Sequence, residues 1–119
     1  MQGIIKSQSR SEKYFEEKCF ITEIINTENF ASFSLSKAKV SLGITTENHI
    51  VKDTDEVYYI LSGEGEMEID GKIVGMVNKD DVVFIPKNKN QRIKNTGSED
   101  LIFICFCSPR FEVKNYSGV

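Results

Sequence analysis

Asp70-Gly71 stands between two short strand-like runs, EMEI at 66–69 and KIVGMV at 72–77. An Asp-Gly pair favours a two-residue type I′ turn, because both central positions need positive φ and the turn's twist matches that of paired strands. The pair predicts a tight β-hairpin, and the rest of the chain reads the same way. CFITEII (19–25), ASFSLSKAKVSL (31–42), EVYYILS (56–62), DVVFI (81–85), QRIK (91–94) and LIFICFC (101–107) are further short strand candidates. Turn residues separate them at the intervals of a β-sandwich or barrel. Gly63-Glu64-Gly65 and Asn95-Thr96-Gly97 mark turns or bulges, and Pro86 ends DVVFI where a missing N–H does no harm. Helical periodicity is scarce: SRSEKYFEEK (9–18), capped by Ser11, is the single candidate for one short N-terminal helix. The fold class is all-β.

Alternation assigns faces to these strands. In NQRIKN the charged Arg92 and Lys94 share a face that belongs in water, which turns Gln91, Ile93 and Asn95 inward. Ser34, Ser36, Ala38 and Val40 form a face of small side chains suited to lining a cavity, and Glu56 shares a face with Tyr58 and Ile60. LIFICFC is apolar on both faces, so one is expected to meet the barrel interior and the other a second sheet or a partner subunit.

A chain of 119 residues has the length of one domain, taken here as 1–119. Its 39% hydrophobic and 28% charged residues are ordinary for a globular protein, and no apolar run approaches the roughly 20 residues of a membrane helix. The opening MQGIIKSQSR lacks the apolar segment of a secretory signal, and three cysteines without regular spacing argue against a disulfide framework. Both point to a cytoplasmic address. A net charge of −3 repels nucleic acid, and the one basic cluster, KNKNQRIK, reads as a solvated strand and loop. Neither nucleic acid nor membrane is expected as a partner. Cys19, Cys105 and Cys107 read as small buried hydrophobes. The acidic KDTDE lacks the twelve-residue spacing of a calcium loop and is expected as a connection at the barrel mouth.

The lone histidine sits in a spaced series, Gly43, His49, Val51, Glu56, Gly63, and a second series runs Asp80, Pro86, Asn88, Gln91, Asn95. Together they resemble the two motifs of the cupin family, G-x5-H-x-H-x3–4-E-x6-G and G-x5-P-x-G-x2-H-x3-N. The first agrees at four of five fixed positions, with Val51 the exception, while the second keeps its spacing and matches only at Pro86 and Asn95. The resemblance spans about 38–111, through the closing CFCSPRF. It implies a double-stranded β-helix, or jelly-roll barrel, with His49, Glu56 and Gln91 brought from separate strands to one interior spot.

In metal-dependent cupins the corresponding positions hold one divalent ion. Carried over, His49 and Glu56 keep ligand chemistry, Val51 has no lone pair, and the neutral amide oxygen of Gln91 is a partial substitute. The expectation is a weak site that favours Mn or Fe(II) with Zn or Ni remaining open, or else a metal-free pocket. His49, Glu56 and Tyr58 are the candidate catalytic residues. The first function expected from the resemblance is binding of a small polar, sugar-type molecule with isomerase, epimerase or lyase chemistry, in which His49 or Glu56 moves a proton. The second is a small-molecule-binding barrel without catalysis. A metal-dependent dioxygenase fits less well, because oxygen activation at non-haem iron usually draws on two histidines and this chain has one. A homodimer is expected from the doubly apolar LIFICFC.

Overall fold

The structure is a computed structural model that describes residues 3–119. Eleven strands run in chain order as β1 Glu12–Phe15, β2 Cys19–Thr27, β3 Phe30–Val40, β4 His49–Val51, β5 Asp55–Ser62, β6 Gly65–Ile69, β7 Lys72–Val77, β8 Val82–Ile85, β9 Gln91–Asn95, β10 Leu101–Ser108 and β11 Tyr116–Gly118. They form two antiparallel sheets, ordered β1-β2-β3-β10-β5-β8 and β11-β4-β9-β6-β7. Chain neighbours repeatedly fall in different sheets, so the two sheets are wound together as a jelly roll. No described helix is long and apolar enough to cross a membrane.

The Asp70-Gly71 hairpin forms as its composition requires, with φ of 56° and 79° at the two turn residues and Ile69 paired to Lys72. Inward residues of both sheets fill the space between them: Val40, Ile60, Met67, Ile93 and Leu101 are almost completely buried. Gln91, Ile93 and Asn95 point in, while Arg92 and Lys94 point out, where Arg92 makes a paired contact with Glu68 at 3.1 Å.

The segment expected to begin a helix at Ser11 does not do so. A 3-10 turn covers Ser7–Ser9, and the residues after Ser11 form β1, paired along β2 with Tyr14 opposite Phe20. A helix of one and a half turns has too few hydrogen bonds to repay its nucleation, whereas a strand on an existing edge gains a ladder and an aromatic contact at 5.0 Å between ring centres. The turn between β1 and β2 is closed by Lys18 at φ 69°.

The strand β10 shows one buried face, Leu101, Phe103, Cys105 and Cys107. Among the described residues no second sheet covers its other face, where Ile102 and Ile104 are half-buried and Phe106 is exposed and stacked on Phe33 at 5.4 Å. Asn95 fixes the turn after β9. Its amide nitrogen donates to the carbonyls of Val40 at 3.0 Å and Glu99 at 2.9 Å, and its side-chain oxygen accepts from the Gly97 amide at 2.9 Å. Asn95→Ala leaves the buried Val40 carbonyl and the part-buried Glu99 carbonyl without that donor, and is expected to lower unfolding free energy by about 2 kcal/mol in urea denaturation.

Candidate active site

His49 and Gln91 face each other across β4 and β9 of one sheet, and Glu56 lies on β5 of the other. Gln91 bridges the two sheets: its Nε2 donates to Glu56 Oε1 at 2.7 Å, and its Oε1 accepts from the Tyr58 hydroxyl. Tyr58 packs its ring on Phe103 at 4.4 Å. Tyr58, Gln91 and Glu56 therefore form one buried hydrogen-bonded chain that holds the Glu56 carboxyl in place.

His49 is held by a different set of groups. Its Nδ1 lies 2.8 Å from the Glu47 carbonyl, and because a carbonyl only accepts, Nδ1 carries a proton and donates it. That leaves Nε2 as the free ring position, and it meets Glu17 Oε2 at 3.2 Å. Glu17 comes from the turn between β1 and β2, which the Glu47 amide ties down by donating to the Glu17 carbonyl at 2.8 Å. The other oxygen of Glu17 accepts from the Cys19 thiol at 3.1 Å. Tyr116, from β11, stacks on the imidazole at 5.0 Å.

Between these groups lies a cavity of about 60 Å³, room for a few water-sized groups. His49 and Glu56 line it, with Glu17 and Tyr116, while Ser34 and Ser36 from β3 supply small walls as their alternation implied. Val51 also lines it. Gln91 and Tyr58 lie behind Glu56 and not in the wall.

Burial pushes the Glu56 carboxyl up to about 7, and the Glu17 charge adds to that, against the opposing pull of the Gln91 hydrogen bond and of His49. Burial likewise raises the Cys105 and Cys107 thiols and the Tyr58 hydroxyl, and the charge of Glu56 raises each further. These thiols stay protonated and unreactive. Glu56 is thus the group of the site poised to exchange a proton near neutral pH.

The donor set does not fit the divalent ion that the motif resemblance implies. Val51 stands where an imidazole would be, the Gln91 oxygen is turned to Tyr58, and its N–H group faces Glu56. Among the described residues no three His, Cys, Asp or Glu side chains converge as metal ligands. Glu17 and Tyr116 carried no signal in the sequence. Glu17 sits in the charged run EEK, indistinguishable there from a solvated residue, and YSGV near the end lacks the alternation that marks a strand.

The sequence profile of the cupin domain family matches residues 40–107. The chain is 35% identical over 78 residues to an uncharacterized protein of Methanocaldococcus jannaschii, covering 66% of this chain and 62% of that one. It is 35% identical over 69 residues to an oxalate-binding protein of Thermotoga maritima, covering 58% and 56%. The chain thus matches roughly six tenths of the length of these curated relatives. Among solved structures, a nucleoside dehydratase superposes with a TM-score of 0.83 at 13% identity, over 100% of this chain and 92% of the other. KdgF from Halomonas sp. gives 0.79 at 16% over 94% and 97%. A predicted oxalate decarboxylase from Thermotoga maritima gives 0.78 at 23% over 90% and 99%. At such identities these structures speak for the fold. Sheet order, motif register and a family match over more than half of the chain agree: this protein belongs to the cupin family.

Proposed function

We propose that this protein binds a small polar molecule in the cavity between His49 and Glu56 and moves a proton on it, in a reaction of the lyase or isomerase type. The observation that carries the reading is a pair of acid–base groups on one small cavity, Glu56 raised to about 7 on one side and His49 with Glu17 on the other. With Nδ1 committed to a backbone carbonyl, Nε2 and Glu17 Oε2, 3.2 Å apart, are placed to pass a proton between them. The pair can therefore deliver or recover a proton at the cavity wall. In a dehydration, a C–H proton goes to one acid–base group, the C–O bond breaks, and the leaving hydroxyl takes a proton from the other, so that water departs. A nucleoside dehydratase of the same fold supports this type of chemistry.

Tyr58 acts in this reading as a positioning residue, through Gln91, and Gln91 as a donor to Glu56 and not as a ligand. No metal takes part in the proposed steps, and exhaustive chelation is expected to leave turnover unchanged. The test is a panel of sugar-derived hydroxy acids, ketoses and nucleosides incubated with the protein in D2O and followed by proton NMR. A compound that exchanges or loses a proton should do so at least about 100-fold more slowly with His49→Ala. Full turnover in both His49→Ala and Glu56→Gln would remove the two residues from the reaction. The second reading, binding without catalysis, is favoured by Val51 in the cavity wall, and a bound compound returned unaltered after long incubation would select it.

The outer face of the six-stranded sheet exposes Phe106, Tyr59, Leu61, Val82 and Phe84 side by side. An apolar surface of this kind supports a homodimer, and sedimentation at micromolar concentration should give twice the mass of one chain. The free thiols Cys19, Cys105 and Cys107 support a reducing, cytoplasmic setting.

A further inference from the structure

The walls of the cavity carry three carboxylates, Glu17, Glu23 and Glu56, against one imidazole, and neither lysine nor arginine lines it. Arg110 lies in the adjoining groove, where Asn26 Oδ1 accepts from it at 2.9 Å and Glu112 pairs with it at 3.9 Å. Lys18 is paired with Glu47 on the surface at 3.7 Å. A carboxylate or phosphate placed in this small cavity would meet three carboxyl groups and, among the described residues, no lysine or arginine to offset its charge, whereas an ammonium group would favour the ionised form of each carboxyl.

Three aromatic rings also belong to the wall, beside Ile21, Val51 and the cysteines of β10. Phe15 meets Tyr116 edge to face at 5.5 Å and Phe111 at 6.3 Å, and all three rings line the cavity. Carboxyl groups set among aromatic rings are the surroundings in which an organic ammonium group is held well, by charge on one side and ring quadrupoles on the other. The hydroxyls of Ser34 and Ser36 in the wall suit a neighbouring hydroxyl of the ligand, Ser34 as a donor because its oxygen already accepts from the Phe111 amide at 2.8 Å.

Building on the proposed binding cavity, we infer that its ligand is a small hydroxylated primary amine, of the amino-alcohol or amino-sugar class, whose ammonium group enters between Glu17 and Glu56. Anionic substrates such as dicarboxylates are rejected by the same walls. This separates the chain from the relative whose name refers to oxalate, although the two share a scaffold.

The test uses the whole protein and three probes of equal size and different charge: ethanolamine, ethylene glycol and glycolate. Each is titrated while the NMR signals of His49, Glu56 and Tyr116 are followed. Ethanolamine is expected to shift these signals with an apparent Kd at least about tenfold lower than that of ethylene glycol, and glycolate to leave them in place. Glu17→Gln and Glu56→Gln should each weaken ethanolamine at least about tenfold, with dispersed spectra showing that the variants fold. If glycolate or ethylene glycol shifts the same signals as well as ethanolamine does, the cavity binds ligands but the amine assignment falls. If neither glutamine variant weakens ethanolamine, the assignment falls too. If none of the three probes moves these signals, the cavity reading fails with it.

Discussion

Gly63→Ala is expected to destabilise the protein by about 5 kcal/mol, enough to leave little folded material in a domain of ordinary stability. Gly63 sits at φ +89°, a conformation that costs an L residue about 1–2 kcal/mol by itself. A Cβ there would also lie 2.6 Å from the Asp100 carbonyl oxygen and 2.8 Å from Leu101 Cα. Both are backbone atoms, and Leu101 is fully buried at the start of β10, so relief requires moving a central strand away from its core. The control is Gly71→Ala in the hairpin, where φ is +79° but no atom lies within 4 Å of the new Cβ. That change should cost about 1 kcal/mol. Urea unfolding of the two variants side by side separates backbone conformation from the clash, and similar losses in both would show that β10 does not press on Gly63.

Glu56→Gln is expected to raise stability at pH 8 by about 3 kcal/mol, which for a domain of this size lifts Tm by roughly 10 °C. The sign follows from the proton. Burial raises the folded-state Glu56 from its ordinary 4.5 to about 7, so between these values the folded chain keeps a proton that the unfolded chain has lost. This contribution to stability is complete below pH 4.5 and disappears as pH rises through 7, because the folded state must then hold an unwelcome buried charge. Glutamine mimics the protonated form and keeps an oxygen to accept from Gln91 Nε2. The gain should therefore be large at pH 8 and close to zero at pH 4.5. Calorimetry of both proteins at the two pH values checks it, and an equal Tm difference at both would show that the carboxyl is not held protonated by the fold. The same variant is expected to lose the proposed proton transfer, a stability gained where a function is given up.

The barrel was legible because its signals are local. Asp70-Gly71 specifies its own turn, and alternation placed Gln91 and Asn95 inside and Arg92 outside. The motif spacing brought His49, Glu56 and Gln91 from three strands to one region, and the structure links Gln91 directly to Glu56. What spacing could not convey was orientation. An amide can offer either its oxygen or its nitrogen, and spacing does not say that Gln91 turns its oxygen to the Tyr58 hydroxyl and its N–H to Glu56. Glu17 was illegible for a second reason. Its placement depends on a turn that becomes fixed when the backbone amide of Glu47, far along the chain, closes onto it. The three-residue strands β4 and β11 were hidden likewise, since each is too short to show a period and exists through its partner.

The cavity draws its wall from inside and from outside the stretch matched by the cupin profile. His49 and Glu56 stand within that stretch, but Phe15, Glu17, Ser34 and Ser36 precede it, and Phe111 and Tyr116 follow it. The profile therefore describes the frame and only part of the cavity's wall. A protein that aligns well from 40 to 107 can keep the equivalents of His49 and Glu56 and still differ at Phe15, Glu17, Phe111 and Tyr116.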